Sequence, residues 1–255
     1  MAEFDPSVPS IARVYDSFLG GKDNFASDRA LADRMIKMAP LAPVITRENR
    51  LFLARAVTWA ASQGISQFLD LGCGMPTSPD TLESARGVIA DARVAYVDND
   101  PVVLSHLNAR VAKGIPGVTV VAGDVRDVPT ILDGVQSGIY LSAPVCLVMG
   151  FLLHFLTADA ARDLVARYTA ALAPGSLLVL SAIHVDTAGS DEGFAGYSSA
   201  VAPVYNHSAA EFASFFGPLE MLPPGVGDAR MWPGRPGGPQ LPQRDQYAIA
   251  GVARL

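Results

Sequence analysis

An apolar run, Phe68, Leu69, Asp70 and Leu71, flows directly into Gly72 and Gly74, two glycines one residue apart. That is how a buried parallel strand delivers a tight turn to a helix N-terminus in a nucleotide-binding α/β fold. Neither glycine has a Cβ, so the backbone turns sharply and a ligand can lie against it. A dinucleotide fingerprint adds a third glycine and sets pyrophosphate on the N-terminus of the following helix. Here Met75, Pro76 and Thr77 follow instead. An acid two residues before the first glycine also disfavours phosphate. A carboxylate at Asp70 suits a cation, such as an α-amino group.

The pattern of a strand ending in an acid recurs twice. Residues 93–98 form a second predicted strand with Asp98 at its carboxyl end, where nucleoside-binding α/β folds place a carboxylate that accepts from both ribose hydroxyls. The plainer role for Asp98 is a helix cap, because Asn99, Asp100 and Pro101 open the next helix, 102–111. A third strand, 118–123, leads into Asp124 and Val125. An acid there can accept the exocyclic amine of adenine while the Val125 amide reaches a ring nitrogen. Asp70, Asp98 and Asp124 therefore match an amine, a ribose and an adenine in turn. A fourth strand, 144–149, stops at Gly150, and a fifth spans 177–181. Repeated strand, helix and strand predict parallel crossovers and a doubly wound, mostly parallel sheet. The cofactor-binding candidates in this half are Asp70, Gly72, Gly74, Thr77, Asp98, Asn99, Asp124, Val125 and Gly150.

Composition narrows the partners. The chain has 255 residues, 50% hydrophobic and 17% charged, enough for one large α/β unit. Net charge is −6 and no block of Lys or Arg occurs, which argues against nucleic acid, since neutralising phosphates needs a basic surface. Cys73 and Cys146 sit in apolar strand contexts and read as small core residues of a reducing cytoplasm, not as a disulfide or metal pair. No signal-peptide h-region and no run of membrane-spanning length is visible, so a cytoplasmic location is expected.

Before the first strand, Ser10 is placed to cap a short helix that the Gly20 and Gly21 pair would end. The polar residues Lys22, Asp23 and Asn24 precede a second helical run, 27–38. The plain reading is a helical hairpin covering the sheet; the functional one is a lid with a glycine hinge. Pro40 and Pro43 are expected to break the next stretch. A long helix from about Thr46 to Ala61 would then pack through Leu51, Ala54, Val57 and Ala61. The division expected is a lid segment, 1–45, and one globular unit, 46–255. Helix 79–88 should return from the first strand, and Thr157 or Asp159 should cap a helix after the fourth. The Gly- and Ser-rich stretch 187–201 reads as a loop or small cover. Residues 209–216 read as a helix, 219–222 and 246–253 as closing strands, and the Pro- and Gly-dense 223–242 as loop.

Several of these motifs together resemble one family. They are Pro9, Ser10, Ala12, Arg13, Tyr15 and Asp16; the block from Leu19 through Gly20, Gly21, Lys22, Asp23 and Asn24 to Phe25; Asp28; Asn49 and Arg50; and Gly74 to Thr77. To these add Tyr96 to Leu104 and Asp124 to Asp127. The chain is similar over nearly its whole length to the actinobacterial S-adenosylmethionine (SAM)-dependent methyltransferases long grouped as a domain of unknown function. The resemblance implies a Rossmann-like class I fold, SAM as cofactor with S-adenosylhomocysteine (SAH) as product, and an N-terminal segment over the cofactor. Arg13, Tyr15, Gly20, Gly21, Lys22 and Asn24 join the cofactor candidates on that ground. Lys22 is expected near the methionine carboxylate or beside Asp23 or Asp28.

The chain departs from the family pattern at Leu82, Ser181 to Ile183, Asn206 with His207, and Trp232 to Gly234, stretches expected to face the methyl acceptor. Candidate catalytic groups near the ends of strands four and five are His154, His184 and Asp186. Tyr15 from the lid, and Tyr205 and His207 from the cover, are further candidates. The function expected is in-line methyl transfer to a small molecule of specialised metabolism. Two alternatives stand beside it. One is a SAM-binding protein that catalyses no methyl transfer. The other is a nicotinamide-dependent oxidoreductase, which would want a third glycine and a Tyr-x-x-x-Lys pattern.

Overall fold

The computed structural model describes residues 5–185, 203–233 and 245–255. The expected stretch 187–201, together with Asp186, and the part of the 223–242 loop from residue 234 to 242 lie outside them. A seven-strand path with an eighth strand beside it forms one sheet. The strands are β1 (Gln67–Leu71), β2 (Arg93–Asp98), β3 (Val118–Ala122), β4 (Cys146–Gly150), β5 (Leu177–Val185), β6 (Glu220–Met221), β7 (Gly227–Asp228) and β8 (Gln246–Arg254). Their order is β3-β2-β1-β4-β5-β8-β6, with β7 also on β8. The pairs from β3 to β5 are parallel, and β8 runs antiparallel to β5. The expected doubly wound, mostly parallel sheet is present.

Alternation along the strands sends side chains to two cores. Phe68, Val94, Tyr96, Cys146 and Val148 pack under α3 (Ala42–Ser62), α4 (Thr81–Arg86) and α5 (Pro101–Ala112). Leu69, Leu71, Val97, Leu147 and Met149 face α6 (Val128–Val135), α7 (Ala158–Thr169) and α8 (Ala209–Ser214). Each fully buried Leu, Val or Phe contributes on the order of 1.5–3 kcal/mol. Thr157 caps α7, accepting from the Ala160 amide at 3.3 Å.

Several expectations are corrected. Pro43 does not break α3 but sits in its first turn, where a missing N–H costs nothing, so the helix starts at Ala42 rather than near Thr46. Its buried face is Phe52, Ala56, Val57, Ala60 and Ala61, while Leu51 is exposed. Strand β5 continues to Val185, so His184 lies within it rather than after it. The stretch read as pure loop contains β7 and a 3-10 turn, Ala229–Met231, leading to buried Trp232, which packs edge-on against Phe52 and Trp59. Leu82 is a core residue of α4 and not a cleft residue.

At the N-terminus, α1 (Ile11–Phe18) and α2 (Ala26–Met38) form the expected hairpin around a small core of Val14, Leu31 and Ala32. Ser10 precedes α1 as expected, but its hydroxyl donates to Asp100 instead of capping. Asp28 is fully buried; it accepts from Arg13 Nε at 2.9 Å and from the Phe25 amide at 2.8 Å. Arg13 also lies 3.5 Å from Asp100, the N-cap of α5, which fastens the hairpin beside the end of β2.

The Gly20 and Gly21 pair does end α1, for two reasons. Gly20 adopts φ +78°, and a Cβ on Gly21 would lie 2.0 Å from Asp16 Oδ1. The buried Asp16 carboxylate in turn holds the Asp23 amide and the Asn24 side chain, at 3.1 and 2.8 Å. Gly21→Ala should therefore cost about 1–3 kcal/mol of local stability, the usual scale of overpacking. Hydrogen exchange should speed up across α1 and residues 19–25 while the strands stay protected; unchanged protection would show that the Asp16 contact does not hold the turn. Among the described residues no helix is long and apolar enough to cross a membrane.

Candidate functional site

The turn after β1 has the geometry its glycines foretold. Gly72 and Gly74 take φ +64° and +65°. A Cβ on Gly72 would press Leu152 at 3.0 Å, whereas one on Gly74 would meet nothing within 4 Å. Gly74 therefore borders open space in which a ligand could lie against backbone. Thr77 turns inward, its amide and hydroxyl both reaching the Met75 carbonyl at 2.8 and 3.3 Å.

Two of the three strand-end acids are buried. Asp70 is 7% exposed; its Oδ2 accepts from Thr81 at 2.5 Å, and among the described residues its other oxygen accepts no hydrogen bond. Burial raises its pKa to about 6, against the opposing effects of Thr81 and Arg50. Asp98 is equally buried, and accepts from the Gly74 and Asp100 amides at 2.9 Å each. Burial raises this carboxyl too. Asp98 thus joins the β1 turn to the start of α5, and its Oδ2 also accepts from the Cys73 thiol at 3.9 Å. Neighbouring Asn99 is exposed.

The third acid behaves differently. Asp124 is half-exposed and forked by Arg126, whose Nε lies 2.9 and 3.0 Å from its two oxygens; this pairing lowers its pKa. Sequence reasoning missed Arg126 as its partner. The Val125 carbonyl accepts from Tyr168 at 2.8 Å. Gly150 has a local explanation, since a Cβ there would lie 2.5 Å from Leu53 of α3.

The hairpin reaches this end of the sheet through Tyr15. Its hydroxyl donates to the Thr46 carbonyl at 3.2 Å and accepts from Asn49 Nδ2 at 3.0 Å. Asn49 is buried and accepts from Ser181 at 2.6 Å; Ser181 Oγ accepts from the Phe151 amide at 3.2 Å. This relay joins α1, α3, β5 and the residue after β4. Phe151 has φ +51°, a costly conformation for a bulky residue. Its ring meets Tyr15 and His154 edge-on at 6.1 and 5.5 Å.

Other hairpin candidates are already engaged. Arg13 serves Asp28, the Val8 carbonyl and Asp100. The Asn24 amide donates to Asp16 and to the Gly21 carbonyl, and its oxygen accepts from Arg29. Gly20 is exposed, and Gly21 makes room for Asp16 rather than for a ligand. Lys22 is exposed, and the Asp28 partner expected for it belongs to Arg13.

The catalytic candidates divide in the same way. Burial raises the pKa of Tyr15 and keeps its phenol protonated, so it acts as a structural donor. The His184 Nδ1–H donates to the His207 carbonyl at 2.8 Å, and His207 Nε2–H to the Leu153 carbonyl at 3.2 Å. Tyr205 stacks on His207. His154 is 2% exposed, and its Nδ1 is buried without a hydrogen-bond partner among the described residues. Burial, with His207 nearby, pushes its pKa down to about 3, which suits a hydrogen-bonding group better than a general base. Sequence reasoning assigned no role to Thr81 or Phe151, met Asn49 and Arg50 only as a family motif, and expected Ser181 to face the methyl acceptor. The polar Asn49 and Arg50 on an otherwise core-facing helix were the available signal.

An acid at each of three adjacent strand ends, an open glycine turn and a lone oxygen on Asp70 fit the amine, ribose and adenine of an adenosyl amino acid. The chain is 40% identical to a presumed methyltransferase from Thermobifida fusca YX, over 97% of this chain and 95% of that one, with a TM-score of 0.89. It is 32% identical to a DUF574 family protein from Streptomyces avermitilis MA-4680, over 98% of both chains, with a TM-score of 0.88. PigF, solved with SAH, shares the fold alone, at 14% identity over 90% of this chain and 71% of that one, with a TM-score of 0.52. No curated protein matches the chain. The family model described as S-adenosyl methyltransferase matches residues 1–255, and with these relatives it shows that the chain belongs to that family and is a SAM-dependent methyltransferase of Rossmann-like class I fold.

Proposed function

We propose that the chain methylates a small molecule of specialised metabolism, with segment 1–45 acting as a lid over the unit 46–255. The observation that carries this is the row of Asp70, Asp98 and Asp124 at the carboxyl ends of β1, β2 and β3. SAM, when bound, supplies an already activated methyl on a sulfonium. The protein's work is then to bind, orient and exclude water.

Asp70 holds the ammonium, Asp98 the ribose hydroxyls, and Asp124 with the Val125 amide the adenine. Phe151, Tyr15 and His154 line the side towards the acceptor: two aromatic faces to shed water and one neutral imidazole to orient a polar group. The net charge of −6 and the absence of a basic block support a small acceptor over a nucleic acid.

In calorimetry, SAH should bind and NADH should not. Asp98→Ala should weaken SAH by about 1.5–3 kcal/mol, the scale of hydrogen bonds to a charged group. Gly21→Ala should weaken it as well if the hairpin is a lid. Tighter NADH than SAH binding would overturn the cofactor assignment, and full SAH affinity in Asp98→Ala would reduce Asp98 to a cap.

SAH affinity should also depend on pH through Asp70. In the free protein this carboxyl holds its proton up to about pH 6. A bound ammonium favours the ionised form, so binding is strongest above that pH and falls as pH drops through it. The fall should approach tenfold per pH unit and vanish in Asp70→Asn; a flat profile from pH 5 to 8 in the native protein would refute the pairing.

With labelled SAM, methyl should pass to small-molecule extracts of a producing bacterium. Transfer only to bulk RNA or DNA would sink the small-acceptor assignment.

A further inference from the structure

His154 is held firmly in the wall beside the glycine turn, yet one of its ring atoms serves nothing there. The segment that carries it, Phe151 to Phe155, leaves the end of β4 and lies against the turn, since Leu152 is the side chain that a Cβ on Gly72 would meet. Residues 203–207 then grip the 3-10 turn by its backbone. The Tyr205 amide donates to the His154 carbonyl at 2.8 Å, and the His207 ring to the Leu153 carbonyl at 3.2 Å. The imidazole stands between Phe151 and Phe155, with ring centroids at 5.5 and 4.3 Å. Its Nδ1 is buried and, among the described residues, unpaired. Buried polar atoms are nearly always hydrogen-bonded, so a fixed ring with an unpaired nitrogen marks the place of a missing partner.

The surroundings define that partner. An orphaned buried N–H is rarer than an orphaned acceptor, so the proton belongs on Nε2 and Nδ1 offers a lone pair. The missing group is therefore a donor. The rings against His154 are Phe151 and Phe155, and Tyr15 meets Phe151 edge-on from the hairpin. An ionic ligand would find no counter-charge on these three rings, whereas a flat, neutral one meets aromatic edges and planes. Acidity narrows the donor further. Burial, with His207 nearby, pushes the imidazole pKa down to about 3, so the ring is a weak base. A phenolic hydroxyl, with a pKa of about 10, gives up its proton to a weak base far more readily than an aliphatic alcohol does.

We infer that the methyl acceptor is a flat, uncharged phenol whose hydroxyl donates to His154 Nδ1 while its ring lies among Tyr15, Phe151 and Phe155. The inference rests on the proposed placement of SAM at Asp70, Asp98 and Asp124, and names the substrate class of that site. In the transfer, a lone pair of the phenolic oxygen forms the new O–C bond as the S–CH3 bond breaks. The electron pair of the broken bond stays on sulfur, leaving SAH. The hydroxyl proton passes to Nδ1, and the acidic imidazolium returns it to water as the product leaves. That product, an aryl methyl ether, has no O–H left to donate. The bond that holds the acceptor is thus missing for the product, which favours its release.

The test is calorimetry on the full chain saturated with SAH, using three probes of one shape: 2-naphthol, 2-methoxynaphthalene and 2-naphthoate. The native protein should bind 2-naphthol roughly 10-fold more tightly than the ether, the size of one buried hydrogen bond, and the carboxylate more weakly still. His154→Phe keeps a flat ring and removes the nitrogen, so the preference for naphthol over ether should fall below about threefold. His154→Asn, which puts an acceptor oxygen near the place of Nδ1, should restore part of it. If His154→Phe does not fold, the native protein decides: the His154 Nδ1 resonance, read by nitrogen NMR, should move on adding 2-naphthol and stay on adding the ether. Equal affinity for naphthol and ether in the native protein would overturn the inference, as would a preference that survives intact in His154→Phe. Tightest binding of the naphthoate, or no probe bound to the SAH-loaded protein, would also overturn it while the SAM placement stands. Failure of SAH itself to bind would sink that placement, and the inference with it.

Discussion

Covering a parallel sheet on both faces dictates where anything polar can stand. Along β1, Phe68 enters one core and Leu69 the other, and the same alternation governs β2 and β4. A charged or unpaired polar group in the middle of such strands would cost several kcal/mol. Only the strand ends, where helices have not yet closed over the sheet, can hold acids. Asp70 and Asp98 stand there at the edge of what burial permits, and their raised pKa values register that strain. A carboxylate that is poorly solvated before a ligand arrives loses little water on binding it, which is what makes such a position useful.

The hairpin is held to this end by hydrogen bonds as well as by packing. From the Phe151 amide through Ser181 and Asn49 to Tyr15 and the Thr46 carbonyl, each buried group has its partner in the next. Removing one member would strand two others, each at about 1–3 kcal/mol. A second fastening, Ser10 and Arg13 on Asp100, sits two residues from Asp98. The hairpin is thereby joined to this end of the sheet at the start and at the middle of α1.

Much of this was legible in the chain itself. Strand ends gave the acids their positions because an apolar run that stops at an acid has few ways to fold. The turn at Gly72 and Gly74 followed from the need for positive φ. What stayed hidden depended on contacts distant in sequence. Asp16 filling the space that Gly21 leaves, and Arg13 claiming Asp28, turned a block expected to touch ligand into one that holds itself. His184 was misplaced because the fifth strand runs on past the residues whose pattern defined it. Arg50 entered the sequence reading only as part of a family motif with Asn49, and only the fold reveals that its Nε is buried with no hydrogen-bond partner among the described residues.

The order of strands also bears on how the chain is assembled during synthesis. Strand β8, drawn from residues 246–254, lies between β5 and the short strands β6 and β7, which among the described residues pair with it alone. As the polypeptide emerges, β1, β2, β3, β4 and β5 can pair in turn, each crossover helix closing behind them. The far edge of β5 then stays open while some sixty residues follow, and a bare parallel edge invites pairing with foreign strands. The nine residues of β8 settle that edge in one antiparallel register. Their arrival closes the second core over Ile249 and Ala253 and brings Phe216 against Gly251. The last strand made is thus an interior strand, and the sheet is finished from within.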